Sequence, residues 1–431
     1  MERRAAVRYG PSDEQETIMR TNQLFSRRLM GAAVAAVLLT ATAACGGDGD
    51  SGGEGLAGTD NTPTGEPIVI GADLDVTGPA AAYNKRVREG IDLAIEVVNR
   101  DGGVLDRPLK LSAQNSQSDP AKAPAAYNAM IDDGAVGAIG YVAAGIPSVK
   151  KIIEDAQLLT IAASVTTPGI VDTAPNSYLY SVLPQNDAYA DVFCGAFKAK
   201  GQKKVALFHD DAPGVVLLVK AYKEAIKACL PDGFVVEESA PLDATDFSAA
   251  AARLKKADPD AILTASVGGN FQAQSESTFA QQMPDVPRYA VGAFDGQPEA
   301  WKVAQPGALE GLVVIRPITD ENPREVALHD KLKAVAGDDA DIAQMHALGY
   351  DSVLLIAEAI KKAGTADDPV KVNEAFQTIQ GFKSTLGQDS FTLSFGKDKH
   401  VGADGACGLV LADFGADNKI AGLWDGYQAT C

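Results

Sequence analysis

Between residues 68 and 316 the chain switches repeatedly between two hydrophobic periods, and this alternation restricts its fold more than any other feature. Short apolar runs at 68–74, 109–115, 135–139 and 158–162 read as strands. Between them, Val87, Ile91, Ile95 and Val98 recur at helical spacing over 83–100, and Asp101-Gly102-Gly103 stops that helix. Further helices are expected over 120–132 and 145–157. After an extended stretch at 178–184 the rhythm resumes, with helices over 187–200, 215–230, 246–257 and 271–282. The strands that follow them are expected at 205–209, 234–239, 261–266, 289–293 and 312–316. Two long helices, 342–363 and 370–379, lead into a glycine-rich tail of strand-like pieces over 391–424. Such alternation predicts parallel strands with helices on both faces. About nine β-α units exceed the usual width of one open sheet. Two doubly wound α/β lobes are therefore expected, with a (β/α)₈ barrel as the competing architecture. The stretch 178–184 and the irregular tail fit a barrel poorly.

Residues 1–66 stand outside this pattern. Arg20, Arg27 and Arg28 precede a short apolar run at 29–40, and Thr42-Ala43-Ala44 leads into Cys45. Charged, apolar and small residues in that order mark a secretory signal. Residues 1–44 are read as a signal peptide, with Met19 as an alternative start. The small-small-Cys ending resembles a bacterial lipobox, in which the cysteine is lipidated; Thr42 replaces the usual aliphatic residue. Residues 45–66 hold almost nothing apolar and read as a flexible tether from a membrane anchor. Within it, Gly49-Asp50-Ser51-Gly52-Gly53 copies the surroundings of a trypsin-like nucleophile, and 47–52 fits G-x-G-x-x-G. No histidine precedes the first, and no strand and helix flank the second, so both are coincidences of composition.

The charge balance narrows the partners. With 57 acidic against 38 basic residues, a net charge of −19 argues against nucleic acid. His209, His329, His346 and His400 are the only histidines, too few for a His-rich metal site. Asp338, Asp339 and Asp341 lack the glycine and terminal glutamate of a calcium loop. There is no H-E-x-x-H, P-loop or Cys-x-x-Cys motif. No cofactor is expected, and a secreted hydrolase is disfavoured by the lack of a nucleophile and base.

Ligands of open α/β sheets bind beyond the carboxyl ends of the strands. That rule selects loops 77–83, 140–145 and 163–167 in one lobe, and 210–214, 267–270 and 294–296 in the other.

Several segments then align in order. They are Ile68-Val69-Ile70-Gly71 with Thr77-Gly78-Pro79 and Tyr83, the helix end Val98-Asn99-Arg100-Asp101-Gly102-Gly103-Val104, and Asp119-Pro120. Ala162-Ala163-Ser164-Val165-Thr166-Thr167-Pro168, Asp246-Phe247-Ser248 and Glu310-Gly311-Leu312 continue the series. Together they resemble the periplasmic leucine/isoleucine/valine-binding proteins over about residues 66–424. The resemblance implies a type I periplasmic binding protein fold with three crossings, near 178–184, 316–319 and 381–387. Lobe 1 is then 67–180 plus 318–382, and lobe 2 is 181–317 plus 383–431. It implies a non-enzymatic lipoprotein that captures a small solute, a branched-chain or other amino acid, for an ABC permease. A ligand-sensing subunit acting on a receptor, or a binder of an amide or other small polar compound, is the alternative.

In that frame Ser164 and Thr166 match the position that holds an α-carboxylate, Asp295 the ammonium partner, and Tyr83 an aromatic wall. Tyr141, Ala143, Asp211 and Asn270 fall in the remaining loops of the site. Three departures stand out. Ala143 or Ala144 occupies the place of a serine, Asp211 lies in a loop where a tyrosine is common, and 267–270 lacks an aromatic. Asp295→Ala is expected to weaken binding without loss of fold. Export makes disulfides expected, and the four cysteines besides Cys45 allow three pairings. Cys194 and Cys229 lie in successive helices, and Cys407 and Cys431 bracket the terminal strands, so those are the expected pairs, all within lobe 2.

Overall fold

Apolar runs too short for helices are buried by pairing, and the first of them becomes an inner strand of a sheet. In this computed structural model, which describes residues 62–77, 80–140 and 145–431, β1 (Ile68–Asp73) buries every side chain but the half-buried Val69. The chain then runs through α1 (Ala81–Arg100), β2 (Leu109–Gln114), α2 (Ala123–Asp132), β3 (Ala135–Gly140), α3 (Ile146–Ala156), β4 (Leu159–Ala162) and β5 (Leu179–Tyr180). These strands form a five-stranded sheet of order β2-β1-β3-β4-β5, parallel throughout.

A second unit repeats the pattern. α4 (Asn186–Ala199), β6 (Val205–Asp210), α5 (Pro213–Cys229), β7 (Phe234–Ala240), α6 (Ser248–Lys256), β8 (Ala261–Ser266), α7 (Gly269–Gln282) and β9 (Arg288–Gly292) follow one another. Two single-turn helices, α8 (Ala293–Gly296) and α9 (Pro298–Trp301), precede β10 (Val313–Arg316). The chain next returns to the first sheet with α10 (Pro323–Ala336), α11 (Gln344–Ala363) and α12 (Pro369–Phe376), then a short ribbon of β11 (Phe382–Lys383) and β12 (Thr392–Leu393). It ends in β13 (Val410–Phe414) and β14 (Ile420–Leu423). The second sheet has seven strands in the order β14-β13-β10-β9-β8-β6-β7. Its last two strands run antiparallel to their neighbours. Two open sheets replace the rival barrel.

Helix α10 was not among the expected helices. Asn322 caps it by accepting the Arg324 N–H at 3.1 Å, and Pro323 opens it. Its inward stripe is only Glu325, Leu328 and Leu332, so an acid sits where an apolar residue would signal the period. The apolar face of α1 lies on α11, and the contact depends on two glycines. A Cβ on Gly90 would run into the His346 carbonyl, and one on Gly349 into that of Val87.

Leu386, Phe391, Leu393, Phe395 and Cys407 pack in the core of the first sheet, although the expected boundary assigned everything beyond 382 to lobe 2. The physical reason is apolar: these side chains join Tyr180 and Phe376, with Tyr180 and Phe395 in edge contact. Cys194 is bonded to Cys229 and Cys407 to Cys431. The first bridge joins α4 to α5. The second ties the C-terminal residue to a cysteine in the first sheet's core, so it does not lie wholly within the second unit. Among the described residues no helix is long and apolar enough to cross a membrane.

Candidate functional site

The order of each sheet reverses once, between β1 and β3 in the first and between β6 and β8 in the second. Such reversals leave a crevice beyond the carboxyl ends of the strands. At β6 and β8 the crevice is pinned by Asp210. Its Oδ2 accepts the Ser266 hydroxyl at 2.5 Å and the Val267 N–H at 2.8 Å, and its Oδ1 accepts the Ala212 N–H at 2.8 Å. After β9 the chain turns at Gly292, φ +105°, where a Cβ would strike the Ser266 carbonyl. That turn swings Asp295 back toward the crevice.

A cavity of about 350 Å³ lies here, lined from both units. The first contributes Tyr83, Ser164, Thr166 and the opening turn of α11 at Gln344 and Met345. The second contributes Asn186, Tyr189, Gly214 in the first turn of α5, Val215, Leu218, Tyr222, Val291, Asp295 and Ile315. The volume falls in the range of small-molecule sites. A larger hollow of about 800 Å³ runs past Thr245, Gln274 and Gln305, but it is lined by the second unit alone.

Of the residues singled out in the sequence, Tyr83, Ser164, Thr166 and Asp295 therefore meet at one cavity. Thr166 is fixed by a turn whose carbonyl accepts the Asn186 N–H at 2.8 Å. The Tyr83 hydroxyl accepts from Gln297 Nε2. Asp211 and Asn270 are not brought in. Asp211 is exposed and accepts the Leu242 N–H at 3.0 Å, and Asn270 is exposed in the first turn of α7. Tyr141 and Ala143 lie outside the described residues, as do Gly78 and Pro79, residues 1–61 and hence Cys45.

Two tyrosines escaped the sequence reading. The loops of the second unit lack an aromatic, but Tyr189 on α4 and Tyr222 on α5 supply aromatic wall from the helices instead. Tyr222 continues the stripe Val215, Val219, Tyr222, Ile226, all buried, so in the sequence it looks like a core position. Its buried hydroxyl has no hydrogen-bond partner. Burial pushes the Tyr222 and Tyr189 phenols up, with Asp295 adding to the effect on Tyr189. Both remain protonated and able to donate at neutral pH.

Asp295 is not a solitary acid. Its Oδ1 lies 2.6 Å from Arg316 Nε, and the side chains are 2% and 12% exposed. Charge rather than directed bonding holds the pair, since neither Asp295 oxygen nor Arg316 Nε makes a well-angled hydrogen bond. Burial raises the Asp295 carboxyl and the Arg316 guanidinium opposes that rise. Truncating Asp295 would strand a buried guanidinium, at a cost of about 3–5 kcal/mol. The expectation that Asp295→Ala leaves the fold untouched is thus replaced by one of lost stability. Beside the cavity, Arg86 on α1 reaches across to the other unit. It donates to the Gly296 carbonyl at 2.6 Å and pairs with Glu299 at 2.7 Å. Among the described residues no group of three or more His, Cys, Asp or Glu could hold a metal ion.

A family model described as periplasmic binding protein matches residues 67–407. The leucine-, isoleucine-, valine-, threonine- and alanine-binding protein of Pseudomonas aeruginosa is 29% identical over 337 residues, 75% of this chain and 86% of that protein. A Leu/Ile/Val-binding protein homolog of Brucella melitensis is 24% identical over 328 residues, 74% of this chain and 86% of that protein. The fold is shared with a branched-chain amino acid transporter substrate-binding protein of Streptococcus pneumoniae solved with isoleucine. There the TM-score is 0.70 at 20% identity, covering 84% of this chain and 99% of that one. It is also shared with a solute-binding protein of Rhodopseudomonas palustris solved with p-hydroxybenzoic acid, at TM-score 0.70 and 18% identity, covering 84% and 97%.

Proposed function

The chain belongs to the periplasmic binding protein family, whose members bind solutes and are not enzymes, and on that premise we propose that it captures a small carboxylate with an apolar body for an ABC importer. The observation that carries the reading is the cavity of about 350 Å³ lined by hydroxyls from one unit and by apolar and phenolic side chains from the other. Ser164 and Thr166 offer hydroxyls to an anion, and the first turns of α5 and α11 border it with the positive ends of their dipoles. Val215, Leu218, Val291 and Ile315 suit an aliphatic or aromatic body. Leucine, isoleucine and valine, for which relatives are named, supply the apolar bodies to try first. Ligand touching both units favours the closed arrangement by its differential affinity. The order of residues ending at Cys45 supports export and lipid anchoring at the outer face of the cytoplasmic membrane. More than one acyl chain is needed for stable anchoring.

The test is calorimetry of residues 62–431 against leucine, isoleucine, valine and the matching carboxylic acids. At least one is expected to bind. Thr166→Ala and Tyr222→Phe should each weaken it about 10- to 150-fold, on the scale of about 1.5–3 kcal/mol for a hydrogen bond to a charged group. Thermal midpoints without ligand should barely move. Silence across the panel, or full affinity in both variants, would sink the reading.

A further inference from the structure

Resting on that reading, we propose that Arg316 sets the charge class of the ligand, so that the site selects a carboxylate without an ammonium group over the corresponding α-amino acid. Among the described residues Asp295 is the only carboxylate on the cavity wall. Its Oδ1 is already 2.6 Å from Arg316 Nε, with both side chains buried. An ammonium set against the free Oδ2 would stand beside a fixed cation. At ~3 Å from the acid and ~5 Å from the guanidinium, the repulsion cancels about 60% of the attraction, because both scale as the inverse of distance. The ammonium would still lose its whole hydration shell. The remaining attraction has to meet that cost alone.

The other end of the ligand has no such conflict. Among the described residues no lysine or arginine lines the cavity, yet hydroxyls able to donate do: those of Ser164 and Thr166 and the Tyr222 hydroxyl, which has no hydrogen-bond partner. An anion with an apolar body uses them and leaves the Asp295–Arg316 pair intact. Arg316 is then a specificity-determining residue that acts through Asp295, at the point where β10 ends and the chain leaves the second sheet.

The experiment compares 4-methylpentanoate with leucine, which differ by the ammonium alone, at about pH 6. At that pH the neighbouring Glu325, raised to about 7 by burial, carries little charge. Wild type is expected to bind 4-methylpentanoate the tighter by about tenfold or more. Arg316→Met, which releases Asp295, should shift the ratio toward leucine by at least tenfold. If that variant does not fold, Asp295→Asn/Arg316→Met removes both charges, and its ratio should match wild type within about threefold. Leucine binding tighter than 4-methylpentanoate to wild type overturns the inference while leaving the importer reading intact. A double variant that loses leucine selectively overturns it too, since that would place Asp295 on the ammonium. Failure of both probes to bind overturns it as well. In that case the broader reading stands or falls on the rest of the amino-acid and carboxylate panel.

Discussion

Glu325 shows how one buried acid links pH to the fold. It is 3% exposed, its Oε2 has no hydrogen-bond partner, and burial raises it to about 7 against the pull of Arg316. Asp320 and Asp330 push it further up and Lys333 opposes them. In an unfolded chain a glutamate titrates near ~4.3. Between those values the folded state holds a proton that the unfolded state has lost. Its contribution to stability is therefore complete below about pH 4.3 and is lost as pH rises through about 7. Asp351, raised to about 6 by burial despite hydrogen bonds from Ser384 and Thr385, acts in the same direction. Glu325→Gln should flatten the fall in melting temperature between about pH 5 and 7. An unchanged slope in thermal melts across that window would assign the effect to other groups.

At the scale of elements, the contact of α1 with α11 decides how the first unit holds Tyr83, Gln344 and Met345 at the cavity. An isolated helix gains about 1 kcal/mol when an interior glycine becomes alanine. Gly90 should reverse that sign, because its Cβ would meet the His346 backbone rather than a flexible side chain. Overpacking of this kind costs about 1–3 kcal/mol. A urea melt of Gly90→Ala should show a lower midpoint with the same slope; a higher midpoint would mean that the two helices do not touch there. The same glycine is unremarkable in the sequence, where it sits between Glu89 and Ile91 in an ordinary amphipathic run. Arg253→Ala, by contrast, would remove a pair with Glu238 whose arginine is 53% exposed, and change little.

For the whole molecule, the question is what holds the two sheets together around the cavity. Arg86, with its two contacts to Gly296 and Glu299, is one clasp. It is 18% exposed while Glu299 is 57% exposed, so its worth is at the modest end, about 1 kcal/mol. That still changes a closed-to-open ratio about fivefold. Arg86→Ala should enlarge the ligand-free radius of gyration in small-angle scattering and leave the ligand-bound value unchanged. Identical ligand-free curves for the two proteins would show that Arg86 holds nothing closed.

The two-lobed α/β architecture was legible because its cause is local: strand and helix periods alternate, and Gly or Asp-Gly pairs punctuate them. Tyr83, Ser164, Thr166 and Asp295 were legible for a related reason. Ser164, Thr166 and Asp295 lie just beyond the carboxyl ends of β4 and β9, and Tyr83 in the first turn of the helix after β1, where the connections of an open sheet converge. Helix α10 was hidden because Glu325 occupies its inward stripe, and Tyr222 because a cavity wall and a core have the same helical period. Asp211 and Asn270 share loops with residues that do reach the cavity, and only the turn geometry sends them to solvent. The Asp295–Arg316 pair needed the tertiary structure most. Those residues lie on different elements, and nothing in a linear sequence says that a carboxylate 21 positions before a guanidinium will be buried against it. The local patterns decided what folds. The close approach of distant charges, which the order along the chain does not encode, decided that Asp295 meets the cavity already paired with Arg316.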